Sequence, residues 1–312
     1  MVNLIGEDPP GLPLVITREA ALLAGLTGGQ IQHRLRTGRW RSLHYGTYVR
    51  EWARTTSTDP YERARDDHVL RAMSAAATRP GSMLGHASAA LAHGLPLVSG
   101  IPTDAHLVVP IGQWAGRRGA VQVHRADLAP ADVTECAPWE TLVTSVARTW
   151  LDVARTLSTA DALSVGDHAL RERMMTSSEV EVLVARHARL RGIGRAALAL
   201  AHCDGRRETP IESLSWTRFL EWNVPLPTMQ HDIWDGRSHV ARVDFFWPEL
   251  GLVGEADGRL KYQGGTALWD EKRRELRLRR LGFRVIRWTW ADVRRGSSPF
   301  REVLMAELLA AA

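Results

Sequence analysis

The 312-residue sequence predicts an α+β protein of several domains, arranged as three units. A small basic helical unit with a hairpin occupies residues 1–54, a mixed α/β region 55–205, and an α/β unit 206–312. Three observations lead there. From Ala20 to Arg50 there is no acidic residue, and helix-capping threonines alternate with glycine stops. The middle stretch mixes short β-rich runs with longer amphipathic ones. Beyond Thr209 a capped helix precedes two β-rich runs, a strongly basic helix and a last β-rich run. A chain of this length is too long for one small core and suits two or three domains.

At the front, Thr17 caps a helix over Thr17–Ala24 that Gly25 ends, and Thr27 caps a second that Gly38 ends. Ile31 and Leu35 form the inner stripe of the second helix. Trp40–Arg50 reads as a hairpin turning at Tyr45-Gly46. Helix, tight turn, basic helix and hairpin together make a winged-helix pattern. It would turn Gln32, His33, Arg34, Arg36 and Arg39 toward DNA, with Arg41 on the wing.

Thr55–Asp59 reads as a polar linker and Tyr61–Ala77 as a helix. Further on, Ala105–Pro110 and Val121–Leu128 read as strands, and Thr141–Ala154, Ala160–Met174 and Ser178–Arg189 as helices. This region holds His86, His93, His106, His124 and His168, but their spacing matches no metal-ligand motif. Each is expected to be satisfied or exposed by itself.

Composition narrows the function classes. Hydrophobic content of 45% and charged content of 24% are ordinary for a soluble globular protein. No apolar run approaches the roughly 18 residues of a membrane helix, so no membrane partner is expected, and Met1–Pro10 lacks the layout of a secretory signal. Cys136 and Cys203, far apart and outside any CxxC, argue against a cysteine zinc site or disulfide framework and fit a reducing cytoplasm. A net charge of +5 and a pI near 9.7 favour anionic partners. Of 40 basic residues only Lys261 and Lys272 are lysine, and both fall in one short C-terminal stretch.

That stretch carries the chemistry. Thr209-Pro210-Ile211-Glu212 has the pattern of a capping box with proline at the first helical position. Arg242–Trp247, a turn at Pro248-Glu249, and Leu250–Asp257 read as an antiparallel hairpin. Glu255 and Asp257, two apart, share a strand face, and Asp244 on the neighbouring strand comes within reach of the same ion as Glu255. The apolar run Leu252-Val253-Gly254 sets these acids at the edge of a buried strand, where carboxylates are costly without a cation or donors. Oxygen ligands without Cys or His suit Mg2+ or Mn2+. Gly258 allows a sharp exit, and Lys261 is placed to hold water and to stabilise charge on phosphate. Asp270–Leu281 reads as a helix whose Lys272, Arg273, Arg274 and Arg277 track a phosphate backbone, with Gly282 as its cap and Phe283–Trp290 as a closing strand.

Asp244, Glu255-Ala256-Asp257-Gly258, Lys261-Tyr262, Glu271–Glu275 and Leu281–Trp288 together resemble the PD-(D/E)XK, or restriction-endonuclease-like, nuclease superfamily. The nearest branch comprises uncharacterised domains related to very-short-patch-repair endonucleases. The resemblance implies Mg2+ held by Asp244, Glu255 and the main-chain carbonyl of Ala256, with Glu212 as the first-helix glutamate. One departure stands out: Asp257 occupies the usual lysine position, which leaves Lys261 as a substitute or the domain inert. The first 200 residues are similar to AbiEi-type antitoxins at Ile16-Thr17-Arg18, Gly38-Arg39-Trp40-Arg41, Gly46-Thr47-Tyr48-Val49 and Thr144–Thr149. That likeness implies a toxin or other protein partner through the middle region. The resulting expectation is a divalent-metal-dependent DNA endonuclease targeted by its N-terminal unit. The alternative is a DNA-binding regulator or antitoxin whose nuclease-like domain does not cut.

Overall fold

The computed structural model describes residues 8–51, 57–257, 265–296 and 299–310, apart from the side chains of 265–268, 270 and 271. At the front, β1 (Val15–Thr17), α1 (Arg18–Leu23), α2 (Gly28–Arg36), β2 (Trp40–His44) and β3 (Thr47–Arg50) follow the expected order, with β1 as an addition. The hydroxyl of Thr17 accepts the Ala20 N–H at 3.0 Å, and Thr27 forms a capping box with Gln30. Gly46, at φ 74°, makes the tight turn between β2 and β3 that a side chain would strain. Strand order β1-β3-β2 leaves β3 central, its residues all buried.

Asp8 fastens this unit together. Its carboxylate accepts from Arg34 Nε at 2.9 Å, Trp40 Nε1 at 3.0 Å and Arg50 Nε at 2.8 Å. Burial opposes its charge, yet these bonds hold its pKa below the usual carboxylate range. The Arg34 guanidinium also lies over the Trp40 ring.

The middle region comprises α3 (Pro60–Ala77), β4 (Met83–Leu84), α4 (His86–Ala92), β5 (Ala105–Pro110), β6 (Gly116–Arg118), β7 (Val121–Ala126), β8 (Val133–Cys136), β9 (Thr141–Thr144), α5 (Val146–Thr156), α6 (Thr159–Arg171), α7 (Ser177–Arg186) and α8 (Ile193–Leu200). Its six-stranded sheet runs β6-β7-β5-β4-β9-β8, parallel at β5·β7 and β4·β9 and antiparallel elsewhere. One expectation needs correction. Thr141–Thr144 begins no helix but is strand β9, because its β-branched residues pair with β4 and β8 and bury Val143 and Thr144. Ser145 then caps α5 by accepting the Arg148 N–H.

The histidines are also less solitary than expected. His86, buried and at φ 49°, stacks on His124 with ring centroids 3.6 Å apart, and His106 Nδ1 lies 3.0 Å from His124 Nε2. His68 lies between Ser88 Oγ and the Pro102 carbonyl. The stacked rings do not form a metal cage among the described residues.

The C-terminal unit consists of α9 (Pro210–Glu221), β10 (Thr228–Asp235), β11 (Ser238–Trp247), β12 (Leu252–Asp257), α10 (Gly265–Arg280), β13 (Arg284–Thr289), α11 (Trp290–Val293) and α12 (Pro299–Leu309). Helix α10 starts earlier than expected, and Trp290 opens α11 instead of ending the last strand. The sheet runs β10-β11-β12-β13, antiparallel until β12 and β13 pair in parallel. One face packs Phe245, Trp247 and Trp288 against Phe219 of α9 and Phe300 of α12. The other covers Val243, Phe246 and Val253 with Leu278 of α10.

Sequence boundaries at residues 54 and 205 do not separate cores. One apolar cluster joins Val15 and Val49 to the helices of the middle region and continues to Phe245, Trp288 and Leu308. Across the second boundary, buried Asp167 of α6 receives Arg207 Nε at 2.5 Å, Ser213 Oγ at 2.7 Å and the Asp204 N–H at 2.7 Å. Arg207 also lies over the Trp216 ring. Asp167 thereby ties α9, through Ser213, and the segment before it, through Arg207, to α6.

Asp167→Ala, which strands a buried guanidinium, is expected to cost about 3–5 kcal/mol in urea unfolding. An Asp167→Ala protein as stable as the parent would show that this link is dispensable. Acid dependence follows from the histidines. Burial holds His68 and His124 down at about 4. The unfolded chain protonates them near pH ~6.5, so stability should be flat above that pH and fall as pH drops toward about 4. A His124→Gln variant, followed by thermal unfolding across this range, should show a shallower fall.

Candidate metal centre

Strands β11 and β12 part company at the proposed site. Their ladder runs Trp247↔Leu252, Phe246↔Val253, Phe245↔Gly254 and stops. The next positions along the two strands are Asp244 and Glu255. Beyond that point β12 continues beside β13 as far as Asp257↔Thr289, while β11 stays with β10. The Ala256 N–H, left without a strand partner on this side, donates to Asp244 Oδ2 at 2.8 Å. A carboxylate thus occupies the fork.

The neighbouring strand is distorted at the same level. Gln230, between the pairs Met229↔Phe245 and His231↔Val243, drops out of the β10·β11 ladder and takes φ 49°. Val243 and Phe245, two residues apart, pack on opposite faces of the sheet, so the alternation of β11 slips at Asp244. The Gln230 amide donates to Glu212 Oε2 at 2.9 Å and reaches Asp244 Oδ1 at 3.4 Å. Sequence inspection did not single out Gln230, since a glutamine in a polar strand carries no signal of a left-handed backbone.

Glu212, on the first turn of α9, is buried. The expected capping box does not form: Thr209 makes no side-chain cap, and Glu212 accepts the Glu208 N–H, not that of Thr209. The Thr209 hydroxyl donates instead to Glu212 Oε1 at 2.6 Å, while the Glu208 N–H donates to Oε2 at 3.0 Å. With both oxygens engaged, Glu212 acts on the site through Gln230 and through its charge on Asp244.

Glu255 is 5% exposed. Arg274 of α10 donates to its Oε2 at 3.2 Å, but its buried Oε1 has no hydrogen-bond partner among the described residues. An orphaned carboxylate oxygen in a protein interior is costly unless something binds it. The two central acids are correspondingly hard to ionise. Burial, then the Glu212 charge, pushes Asp244 up to about 6. Burial pushes Glu255 up to about 7, Arg274 offsetting only part of this and Asp244 adding to it.

Gly254 sets how β12 delivers Glu255. A Cβ there would come within 2.7 Å of the Trp288 ring and 3.1 Å of Trp247, so only hydrogen fits. Trp288 itself is anchored through Nε1 to Ser215 Oγ at 2.7 Å.

Other expected site residues lie apart from the acids. Asp257 ends β12 exposed, with the Arg287 guanidinium at 3.8 Å. Lys261 lies outside the described residues. On α10, Lys272, Arg273 and Arg277 are exposed, with Lys272 Nζ 5.7 Å from the Trp269 ring and Arg277 donating to Ser238 Oγ. Arg274, grouped with them in the sequence, is turned onto Glu255.

The N-terminal set also divides. Gln32, Arg36 and Arg39 are exposed, and His33 is half-exposed. Arg34 is corrected: it is 5% exposed and held by Asp8, because α2 must bury this face against Trp40. Arg41 is corrected too, its guanidinium being tied to Asp67 of α3 at 3.0 Å.

The residues fit a hard cation on their donor chemistry. Asp244 and Glu255 supply carboxylate oxygens near enough for the Asp244 charge to act on Glu255, and one Glu255 oxygen has no hydrogen-bond partner among the described residues. Among the described residues no three His, Cys, Asp or Glu side chains form a cage by themselves. Mg2+ suits such a partial set, since it is commonly held by one or two carboxylates plus water and phosphate oxygens.

No protein-family model matches the chain. Two uncharacterized proteins from separate strains of Mycobacterium tuberculosis are each 34% identical to it over 154 residues, covering 49% of this chain and 57% of theirs. The chain thus matches little more than half the length of these relatives. A crystal structure of another M. tuberculosis protein aligns with 72% of this chain and 84% of its own at 17% identity and a TM-score of 0.38. Such a likeness assigns no function.

Two measurements check the electrostatics of the site. Folding raises the Glu255 pKa, so its contribution to stability is complete below the unfolded value of about 4.3 and is lost as pH rises through about 7. In metal-free buffer Glu255→Gln should therefore unfold at a higher temperature than the parent at pH 8, with the gap closing near pH 4. A Glu255→Gln protein less stable than the parent at pH 8 would contradict a strained carboxylate. Gly254→Ala should cost about 1–3 kcal/mol by overpacking against Trp288, measured by chemical denaturation.

Proposed function

We propose that this protein is a divalent-metal-dependent endonuclease acting on DNA. The observation that carries the proposal is the buried Glu255 Oε1, without a hydrogen-bond partner among the described residues, beside Asp244 at a strand fork. Asp244, Glu255 and the Ala256 carbonyl would hold Mg2+ or Mn2+. Once bound, the ion supplies Lewis-acid activation of water and charge stabilisation at phosphate. The chain's own residues prepare for this. Asp244 is oriented by the Ala256 N–H and the Gln230 amide. Arg274 fixes one oxygen of Glu255 and leaves the other to face the site. Glu212 holds Gln230 in turn.

Substrate delivery rests on positive charge outside the acids. Lys272, Arg273, Arg277 and Arg280 are exposed on the helix that carries Arg274, where a phosphate backbone would gain salt-dependent affinity. Exposed Trp269, beneath Lys272, offers a base-stacking face. On the N-terminal unit, Gln32, Arg36 and Arg39 project from or just beyond α2 and would engage DNA separately. The PD-(D/E)XK resemblance agrees with this placement of acids on adjoining strands.

One observation favours a second reading, a DNA-binding regulator or antitoxin that does not cut. Asp257 stands at the position where the resemblance calls for lysine, and its cationic neighbour Arg287 lies at 3.8 Å.

Plasmid and linear single- and double-stranded DNA, incubated with Mg2+, Mn2+ or chelator, separate the two. The endonuclease reading expects metal-dependent cleavage that Asp244→Ala reduces on the order of a thousandfold, equivalent to about 4 kcal/mol of barrier. Tight binding without cleavage under every condition would establish the regulator instead.

A further inference from the structure

A cleft lies far along the chain from the acids, where the front of the molecule meets its middle. Its walls come from the end of β2, from α3 and the turn after it, from the start of β5, and from the β6–β7 turn. Its volume, about 440 Å3, falls within the range of small-molecule sites. We propose that this cleft binds a small phosphate ester of mononucleotide size, and the proposal does not rest on the nuclease reading.

Charge is the first argument. Arg71, Arg79 and Arg118 line the cleft, and among the described residues no aspartate or glutamate does. They reach it from separate elements. Arg71 lies on α3 and Arg79 follows its C-terminus, while Arg118 closes β6 just before the Gly119 turn. Arg71 uses its Nε on the Asp67 carbonyl at 3.2 Å and is exposed. Arg79 donates to the Ala75 carbonyl at 3.0 Å, which blunts the negative end of α3 that an anion would otherwise meet. The nearby Arg117 pairs with Asp104, and neither residue lines the cleft. Three guanidinium groups without a carboxylate provide the forked donors that a phosphate dianion takes up.

The remaining lining argues against a bare anion. Leu43, Ala75, Ala105 and Val121 supply an apolar surface that inorganic phosphate would leave uncovered. Thr78 and Thr103 add hydroxyls that can donate or accept at a sugar or base edge. A ligand with one charged end and an uncharged organic body satisfies both parts. Because Leu43 and His44 belong to the hairpin while Arg71 belongs to α3, occupancy would tie the front unit to the middle region.

Calorimetric titration of the full chain tests the proposal, with AMP, GMP, CMP and UMP as probes beside their nucleosides, inorganic pyrophosphate and a short single-stranded oligonucleotide. At least one mononucleotide should bind saturably with a micromolar Kd, and its nucleoside about tenfold or more weakly. Arg71 and Arg118 are exposed, so Arg71→Gln and Arg118→Gln should each lower the affinity about tenfold with unchanged unfolding temperature. Asp244→Ala should bind the mononucleotide as the parent does, which separates this site from the acids. No mononucleotide binding at about 1 mM, affinity unaltered in both arginine variants, or pyrophosphate binding as tightly as the nucleotides would each overturn it. So would an oligonucleotide that binds through Arg71 and Arg118 while mononucleotides do not, since the cleft would then belong to a polynucleotide track.

Discussion

The C-terminal unit turns on a single hydrogen bond, from the Ala256 N–H to Asp244. Where β11 and β12 separate, each exposes backbone groups that a continuous ladder would have satisfied. The Asp244 carboxylate takes up one of them at 2.8 Å and so stabilises the opening. This fork lets two acids lie on adjoining strands inside a sheet without flanking strands sealing the space between them. The slip of β11 at Asp244 and the left-handed backbone of Gln230 are the local cost of that opening.

The fork holds its shape because rigid elements meet on both sides. On one face an aromatic layer of Phe219, Phe245 and Trp288 fills the space so closely that β12 admits only glycine at position 254. On the other, α10 brings Arg274 onto Glu255. Helix α9, which carries Glu212, is held from beyond the unit by the buried Asp167–Arg207 pair and Ser213. The middle region therefore contributes to the site without lending it a residue, and the expected division at residue 205 describes the sequence better than the packing.

Burial of Asp244 and Glu255 is the energetic counterpart of this geometry. Both acids resist ionisation, and one oxygen of Glu255 has no hydrogen-bond donor among the described residues. A core selected only for stability would have replaced them with apolar groups. Their retention among buried neighbours is explained if a cation completes them, and the oxygen-only donor set decides which kind of cation suits.

Much of this organisation is legible in the residues themselves. Thr17 and Thr27 stand where helices begin, and Gly25, Gly38 and Gly282 take the left-handed conformations that end them. The hairpin carrying Asp244 and Glu255 follows from strand periodicity around a proline turn. Contacts between residues distant in sequence were not legible. Nothing local distinguishes Arg34 and Arg274, both bound to carboxylates, from Arg36 and Arg273, which face solvent. Nor does spacing show that His86, His106 and His124 stack together, or that Thr141–Thr144 finds two strand partners. The sequence by itself determined which residues can cap, turn, alternate and ligate, because those properties depend on near neighbours. Only the tertiary structure decided which charges are neutralised, which glycine must remain one and where Gln230 bends. Each of those outcomes is set by atoms that chain folding, not chain order, brings within reach.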